Sequence, residues 1–308
     1  MMFAPVVLFA YNRPDHVRAT LESLAANAGA GETPLYIHCD GAKPQAGGEE
    51  RERVNQVRKV IREKQWCGRV TIVESETNRG LADSIVQGVQ DVLTRHGSVI
   101  VLEDDLLLAP GFLCYMNEAL RCYENDADVM HVSGYMFPVS VELPETFFLQ
   151  LTSCWGWATW RRAFTQFEPD ARKLLAGLEE RGLVRTFNFE EGYDYAGQLR
   201  ANAVGTLRTW AVRWYASVLL RGGLALFPRQ TLVENTGFDG SGANCKSLDQ
   251  RFGNEMGGDI RVMRSPLQES AAAREAVRRA LQGSAAKPSP PSFLTRWKKS
   301  FRTFTRMK

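Results

Sequence analysis

Four short apolar runs, each closed by a polar turn, constrain what this chain folds into. Val6-Val7-Leu8-Phe9-Ala10 runs into Tyr11-Asn12-Arg13-Pro14-Asp15, and Leu35-Tyr36-Ile37-His38-Cys39 stops at Asp40-Gly41. Arg69 to Glu74 leads to Asn78-Arg79-Gly80-Leu81-Ala82, and Ser98 to Leu102 delivers Glu103-Asp104-Asp105. Short runs of this kind bounded by turn formers read as strands. Helical patterns lie between them. Asp15 caps a stripe of Val17, Leu21 and Leu24; Glu49 to Lys64 carries Val54, Val57 and Ile61; a third helix runs from Asn78-Ala82 to about Thr94. Strand and helix in alternation imply βαβ units, and so an α/β fold with a mainly parallel central sheet flanked by helices. In such sheets ligands bind beyond the carboxyl ends of the strands. Asn12, Arg13, Asp40, Arg79, Glu103, Asp104 and Asp105 all fall at those ends, which predicts one composite pocket.

The pattern changes beyond Pro110. Gly111 to Tyr123 reads as a helix, Val129 to Gly134 as a strand, Ala171 to Gly182 and Ala211 to Gly222 as helices, and Leu224 to Pro228 as a strand. Between them lies Ser153-Cys154-Trp155-Gly156-Trp157-Ala158-Thr159-Trp160. These tryptophans either stack on sugar faces, the role assigned to Trp155 and Trp157, or pack in the core. Asn235 to Cys245 is a polar, glycine-dense stretch with the character of a lid. The expected division is residues 1–265 as the main domain, with 1–110 the nucleotide-sugar-binding half and 111–265 the acceptor-side half. A helix over 266–282 (Ala271 to Leu281 at its heart), a Pro/Ser/Ala linker over 283–292 and a basic amphipathic tail over 293–308 follow.

Bulk properties remove several function classes. The net charge of +3 over 308 residues is too small to argue for nucleic acid. The six cysteines are scattered with no C-x-x-C pair, so a structural zinc site is not expected. His16, His38, His96 and His131 do not cluster either, which argues against a zinc hydrolase. There is no secretory signal pattern and no apolar run of roughly 20 residues. The expectation is a cytoplasmic protein with free thiols, peripheral on the inner membrane face if its tail binds lipid.

The acidic triplet carries the chemistry. Adjacent carboxylates at the end of a buried strand are costly unless a cation compensates them. Mn²⁺ and Mg²⁺ are hard ions that take oxygen ligands, keep several waters, and bind one or two carboxylates together with phosphate oxygens. An ion there stabilises negative charge on a departing diphosphate. The alternative is a solvated acidic loop.

With these residues in place, the chain resembles the GT-A-fold glycosyltransferases, Rossmann-like in their first half. The resemblance rests on Leu8-Phe9-Ala10-Tyr11-Asn12-Arg13-Pro14, Asn78-Arg79-Gly80-Leu81-Ala82 and Leu102-Glu103-Asp104-Asp105, and spans roughly residues 3–260. It is closest to the bacterial group related to family 2 sugar transferases. The metal motif is similar to that of the Golgi N-acetylglucosaminyltransferase I family, where E-D-D replaces D-x-D. The resemblance implies a UDP-, GDP- or dTDP-sugar donor, with Asp105 on the metal, Asp104 toward the ribose and Glu103 toward the donor sugar. It further implies that Arg13 and Asp40 hold the nucleotide, Asp40 by accepting a base N–H. Read locally, Arg13 is a surface turn residue and Asp40 a turn former.

Inverting transfer needs a carboxylate to take the acceptor hydroxyl's proton. In Phe189-Glu190-Glu191-Gly192-Tyr193-Asp194-Tyr195 acids stand among aromatics, which makes Asp194, then Glu191, the candidate base. Arg213 reaches either a phosphate or a buried ion-pair partner. Where relatives carry a His near the end of the lid, this chain has Asn244. The tail, with Trp297, Phe301 and Phe304 among Arg and Lys, suits an anionic membrane face and hence a lipid-linked acceptor, or else is a solvated basic tail. The expected activity is inverting, metal-dependent sugar transfer to a glycan or lipid-linked acceptor in bacterial surface polysaccharide or lipopolysaccharide synthesis. The alternatives are a sugar nucleotidyltransferase, for which residues 8–16 lack the Gly-rich loop and lysine, and a non-catalytic sugar-binding protein of the same fold.

Overall fold

The computed structural model describes residues 3–239 and 255–283. Val6–Ala10 (β1), Pro34–Cys39 (β2), Arg69–Glu74 (β3) and Ser98–Glu103 (β4) are parallel and ordered β3-β2-β1-β4. Pro14–Ala25 (α1), Gly48–Val60 (α2) and Leu81–Arg95 (α3) connect them. β1 is buried at every position because both of its faces are covered. Val6, Leu8 and Ala10 join Val17, Leu21 and Leu24 of α1 in one core layer, while Val7 and Phe9 join Ile85, Val89 and Val92 of α3 in the other. Pro14 starts α1, where its missing N–H costs nothing. Glu49 and Glu50 in the first turn of α2, with Arg58 and Lys59 in its last, complement the helix dipole.

The second half contributes Leu106–Leu108 (β5), Phe112–Cys122 (α4), Val129–Ser133 (β6), Thr146–Leu149 (β7), Trp157–Trp160 (β8), Arg161–Phe164 (α5), Ala171–Glu180 (α6) and Val184–Phe187 (α7). Tyr195–Ala203 (α8), Ala211–Leu220 (α9), Leu224–Pro228 (β9), Val233–Asn235 (β10) and Ala271–Leu281 (α10) complete it. The sheet continues past β4 as β8-β6-β9-β7. β8 runs antiparallel to both β4 and β6, β6 parallel to β9, and β7 antiparallel to β9. The result is the expected α/β architecture, a large mostly parallel central sheet flanked by helices. β5 and β10 form a separate antiparallel ribbon.

The tryptophan run, to which no helix or strand was assigned, forms a central strand, β8. Its four residues are all buried, so no polar alternation marks them as a strand. The helix over Ala271–Leu281 is not set apart from the main domain: Ser270 N–H donates to Phe148 O of β7 at 2.9 Å, and Arg274 pairs with Glu190 and Glu269. Among the described residues no helix is long and apolar enough to cross a membrane. Cys39, Cys67, Cys114, Cys122 and Cys154 are free thiols. Residues 284–292 of the expected linker and the tail over 293–308 lie outside the described residues, as do Asn244 and Cys245.

Candidate active site at the ends of the first and fourth strands

Strand order reverses between β1 and β4: the chain moves outward from β1 to β2 and β3, then returns to place β4 on the other side. Such a switch point opens a crevice beyond the strand ends. Arg13 leaves β1 there and Glu103-Asp104-Asp105 leaves β4. The structure joins them. An Arg13 guanidinium N–H donates to a carboxylate oxygen of Asp104 and also to Asp105 Oδ2 at 2.9 Å. All three side chains are largely buried, at 16% exposure for Arg13, 7% for Asp104 and 13% for Asp105. Burial works against the Arg13 cation, but Asp104 and Asp105 outweigh it and the net shift is upward. Burial also raises Asp104, with Arg13 opposing. Glu103 is raised by burial first and then by the charges of Asp105 and Asp104. Three buried acids therefore have one arginine near them, and the upward shifts of Glu103 and Asp104 show that full ionisation of the triplet calls for a further cation.

Backbone anchors fix the triplet. Thr20 of α1 donates its hydroxyl to Asp104 O at 2.9 Å. Thr236 N–H and its hydroxyl both donate to Asp105 O, at 2.8 and 3.0 Å. The stretch expected as a lid is thus docked on the triplet over Asn235 to Asp239, its remainder lying outside the described residues. Gly237 lies directly on the carboxylate: a Cβ there would stand 2.2 Å from Asp105 Oδ2 and 3.1 Å from Arg13 Nη1. Phe238 meets Trp155 edge-on, ring centroids 5.6 Å apart, and Trp155 meets Tyr135 at 4.6 Å. His16 Nε2 is 3.3 Å from Thr236 O and 3.3 Å from an Asp239 carboxylate oxygen.

Asp40, at the end of β2, is the turn former that its local sequence suggested. Its carboxylate accepts from the backbone N–H of Gly41 (3.0 Å), Arg79 (2.9 Å) and Gly80 (3.0 Å). It holds the turn into α3, where Gly80 takes a positive φ of 81° that suits glycine. Asn78 supports the same turn by donating to Gly41 O at 3.0 Å. The Arg79 side chain is exposed, and Asn12, half-buried, makes no side-chain hydrogen bond among the described residues.

The other candidate residues stand in different settings. Trp157 does not face a ligand: it is 0% exposed, stacked on His131 at 5.3 Å and on Trp210 at 5.0 Å. Arg213 forms no ion pair among the described residues and donates to Thr209 O at 2.7 Å and Pro169 O at 3.0 Å. Asp194 caps α8, accepting from Gly197 N–H at 2.8 Å. Glu191 is exposed, in a run of three non-glycine residues with positive φ (Phe189, Glu190, Glu191), beside α10 rather than the triplet. No pattern in the chain singled out His16, Thr20 or Thr236, whose roles depend on what lies across from them.

Among the described residues no group of three or more His, Cys, Asp or Glu is arranged to hold a metal. A hard divalent ion that keeps water and takes phosphate oxygens does not need one. Asp105 Oδ1 has no hydrogen bond among the described residues, and a cation there would relieve the burial and mutual repulsion that raise Glu103.

No family model matches the chain, and no curated protein matches it. Solved structures resemble it distantly. Mouse xyloside xylosyltransferase 1 in its apo form is 12% identical over 70% of this chain and 80% of its own, with a TM-score of 0.37. A UDP-glucose pyrophosphorylase complexed with UDP-glucose is 9% identical over 73% and 90%, with a TM-score of 0.36. A mannose-1-phosphate geranyltransferase from Thermus thermophilus is 12% identical over 74% of each chain, with a TM-score of 0.34. At these scores the likeness carries no inference about activity, and the site is read from its own residues.

Proposed function

We propose that this chain is a glycosyltransferase that moves a sugar, with inversion, from a UDP-, GDP- or dTDP-sugar to a glycan or lipid-linked acceptor. The observation that supports it is the cluster of three buried acids at the switch point with only Arg13 to compensate them, a site whose full ionisation a metal ion would complete. Mn²⁺ or Mg²⁺ is the proposed cofactor; bound at Asp105, it supplies Lewis-acid stabilisation of the leaving diphosphate. Arg13 neutralises part of the triplet and presents a cation toward phosphate. Asp104 and Glu103 border the ribose and the donor sugar. Asn12, Arg79 and the turn held by Asp40 form the nucleotide side. Trp155, half-buried beside Phe238, offers an aromatic face to sugar. Family 2-like membership, the likeness to N-acetylglucosaminyltransferase I and a role in bacterial surface polysaccharide or lipopolysaccharide synthesis rest on the sequence resemblance. So does membrane contact through the basic tail.

Calorimetry with UDP, GDP and dTDP, with and without Mn²⁺, tests this reading. One nucleotide is expected to bind at least tenfold more tightly with the metal, and Asp105→Ala to abolish that difference. Binding that ignores the metal, or an Asp105→Ala chain that still transfers sugar normally, overturns it.

A further inference from the structure

Of the acids that stand among aromatics in the second half, Asp194 caps a helix and Glu191 is exposed next to Gly192, which lies against α10. A different carboxylate lies on the ribbon that leaves the triplet. β10 pairs with β5 in the register Glu234↔Leu107 and Asn235↔Leu106. The bond from Thr236 N–H to Asp105 O carries that ladder one step further. Successive residues of a strand face opposite sides, so Asp105, Leu107, Glu234 and Thr236 share one face. Glu234 and Asp105 are diagonal neighbours on it, a relation that spans about 7–8 Å between Cα atoms. Leu106, Leu108 and Val233 point the other way, into the core.

Glu234 is half-buried, and its carboxylate has no hydrogen bond and no ion pair among the described residues. Buried acids are ordinarily paired, because a lone one costs desolvation with nothing returned. Glu234 is unpaired on the strand face it shares with Asp105, which makes it available to a ligand there. Burial, with no charged neighbour contributing, raises its pKa. The two tethers of Thr236 to Asp105 fix where Glu234 stands relative to the triplet.

We propose that Glu234 is the general base of the transfer, an assignment that rests on the glycosyltransferase reading. An acceptor hydroxyl gives its proton to the Glu234 carboxylate as its oxygen forms a bond to C1 of the donor sugar. The bond from C1 to the β-phosphate oxygen breaks, and its electron pair leaves with the nucleoside diphosphate. Water serves as acceptor by the same route.

The test uses the full chain with UDP-glucose, UDP-galactose, UDP-N-acetylglucosamine, GDP-mannose and dTDP-rhamnose, water being the acceptor. For the donor turned over fastest, Glu234→Gln is expected to slow hydrolysis at least a hundredfold. Donor Kd stays within twofold. Glu234→Asp is expected to recover part of the rate, with the acidic limb of its pH profile displaced. Nuclear magnetic resonance of the released sugar is expected to show inversion at C1. Hydrolysis by Glu234→Gln at the wild-type rate, loss of donor binding along with rate, or retention at C1 each overturns the base while leaving donor binding by the wild type intact. A wild-type chain that binds none of the five donors overturns the transferase reading itself, and the base with it.

Discussion

Gly237 rests on the carboxylate of Asp105 so closely that a single methyl group at its Cα would fall 2.2 Å from Oδ2. The contact ties the Asn235–Asp239 stretch to the acid proposed to hold the metal. Gly237→Ala forces one of them aside, and overpacking of this sort costs about 1–3 kcal/mol. The expected outcome is at least a tenfold loss of metal-dependent nucleotide affinity by calorimetry, with the far-ultraviolet circular dichroism unchanged. Unaltered affinity would show that the loop and Asp105 move apart when ligand binds.

Arg13 is the cation that makes the triplet tolerable without metal. Arg13→Met keeps the length of the side chain and removes the charge, leaving Asp104 and Asp105 buried and unpaired. Breaking a buried pair from one side costs about 3–5 kcal/mol. Urea unfolding should record a loss of that order, and Mn²⁺ should restore more stability to the variant than it adds to the wild type. A variant as stable as wild type in the absence of metal would mean that the acids are protonated or hydrated.

Asp40 combines three backbone donors on one carboxylate. Asp40→Asn places an amide N–H₂ where at least one N–H now points, and leaves that donor unsatisfied at about 1–3 kcal/mol. Stability should fall by that amount. Hydrogen exchange should speed up at Arg79 and Gly80 ahead of the rest of α3. If nucleotide affinity falls while exchange at these amides is unchanged, Asp40 contacts the base directly.

His131 gives a pH dependence with a definite sign. Its Nδ1 accepts from Trp214 Nε1–H at 3.1 Å, and Nε2 lies 3.0 Å from Ser153 O, so the neutral ring satisfies both. Burial drives its pKa down to about 3 from an ordinary 6.5. Between those values the unfolded chain binds a proton that the folded chain refuses, so stability is whole above pH 6.5 and falls as the pH drops toward 3. The slope attributable to this one ring is at most about 1.4 kcal/mol per pH unit. His131→Gln should flatten the urea midpoint over that interval. A wild-type midpoint already flat there would mean that the ring is protonated in the fold.

The first four strands were legible because they are short runs with polar ends: Val6–Ala10 and Arg69–Glu74 have the bounds their residues suggest, and so does Leu224–Pro228 in the second half. Other strands of the second half were not, for a physical reason. Trp157–Trp160 sits between two other strands and is buried on both faces, so nothing in its own four residues separates core packing from stacking on sugar. Leu106–Leu108 and Val233–Asn235 are too short for periodicity to register, and each is a strand only because the other pairs with it. At the site, the ion pairing of Arg13 with Asp104 and Asp105 joins positions about ninety residues apart in sequence. The triplet was visible as chemistry; its partner was visible only as a strand-end residue, and Glu234 had no pattern at all.

The late arrival of β8 bears on synthesis. β4 ends at Glu103, and the strand that covers its open edge begins at Trp157. A ribosome adding about 5–20 residues per second takes several seconds to bridge that gap. During that interval the apolar edge Ser98–Val101 has no neighbour, the condition under which strands pair with the wrong chain. Chains stalled or truncated before Trp160 should therefore collect on chaperones or in aggregates, while those released after it should not.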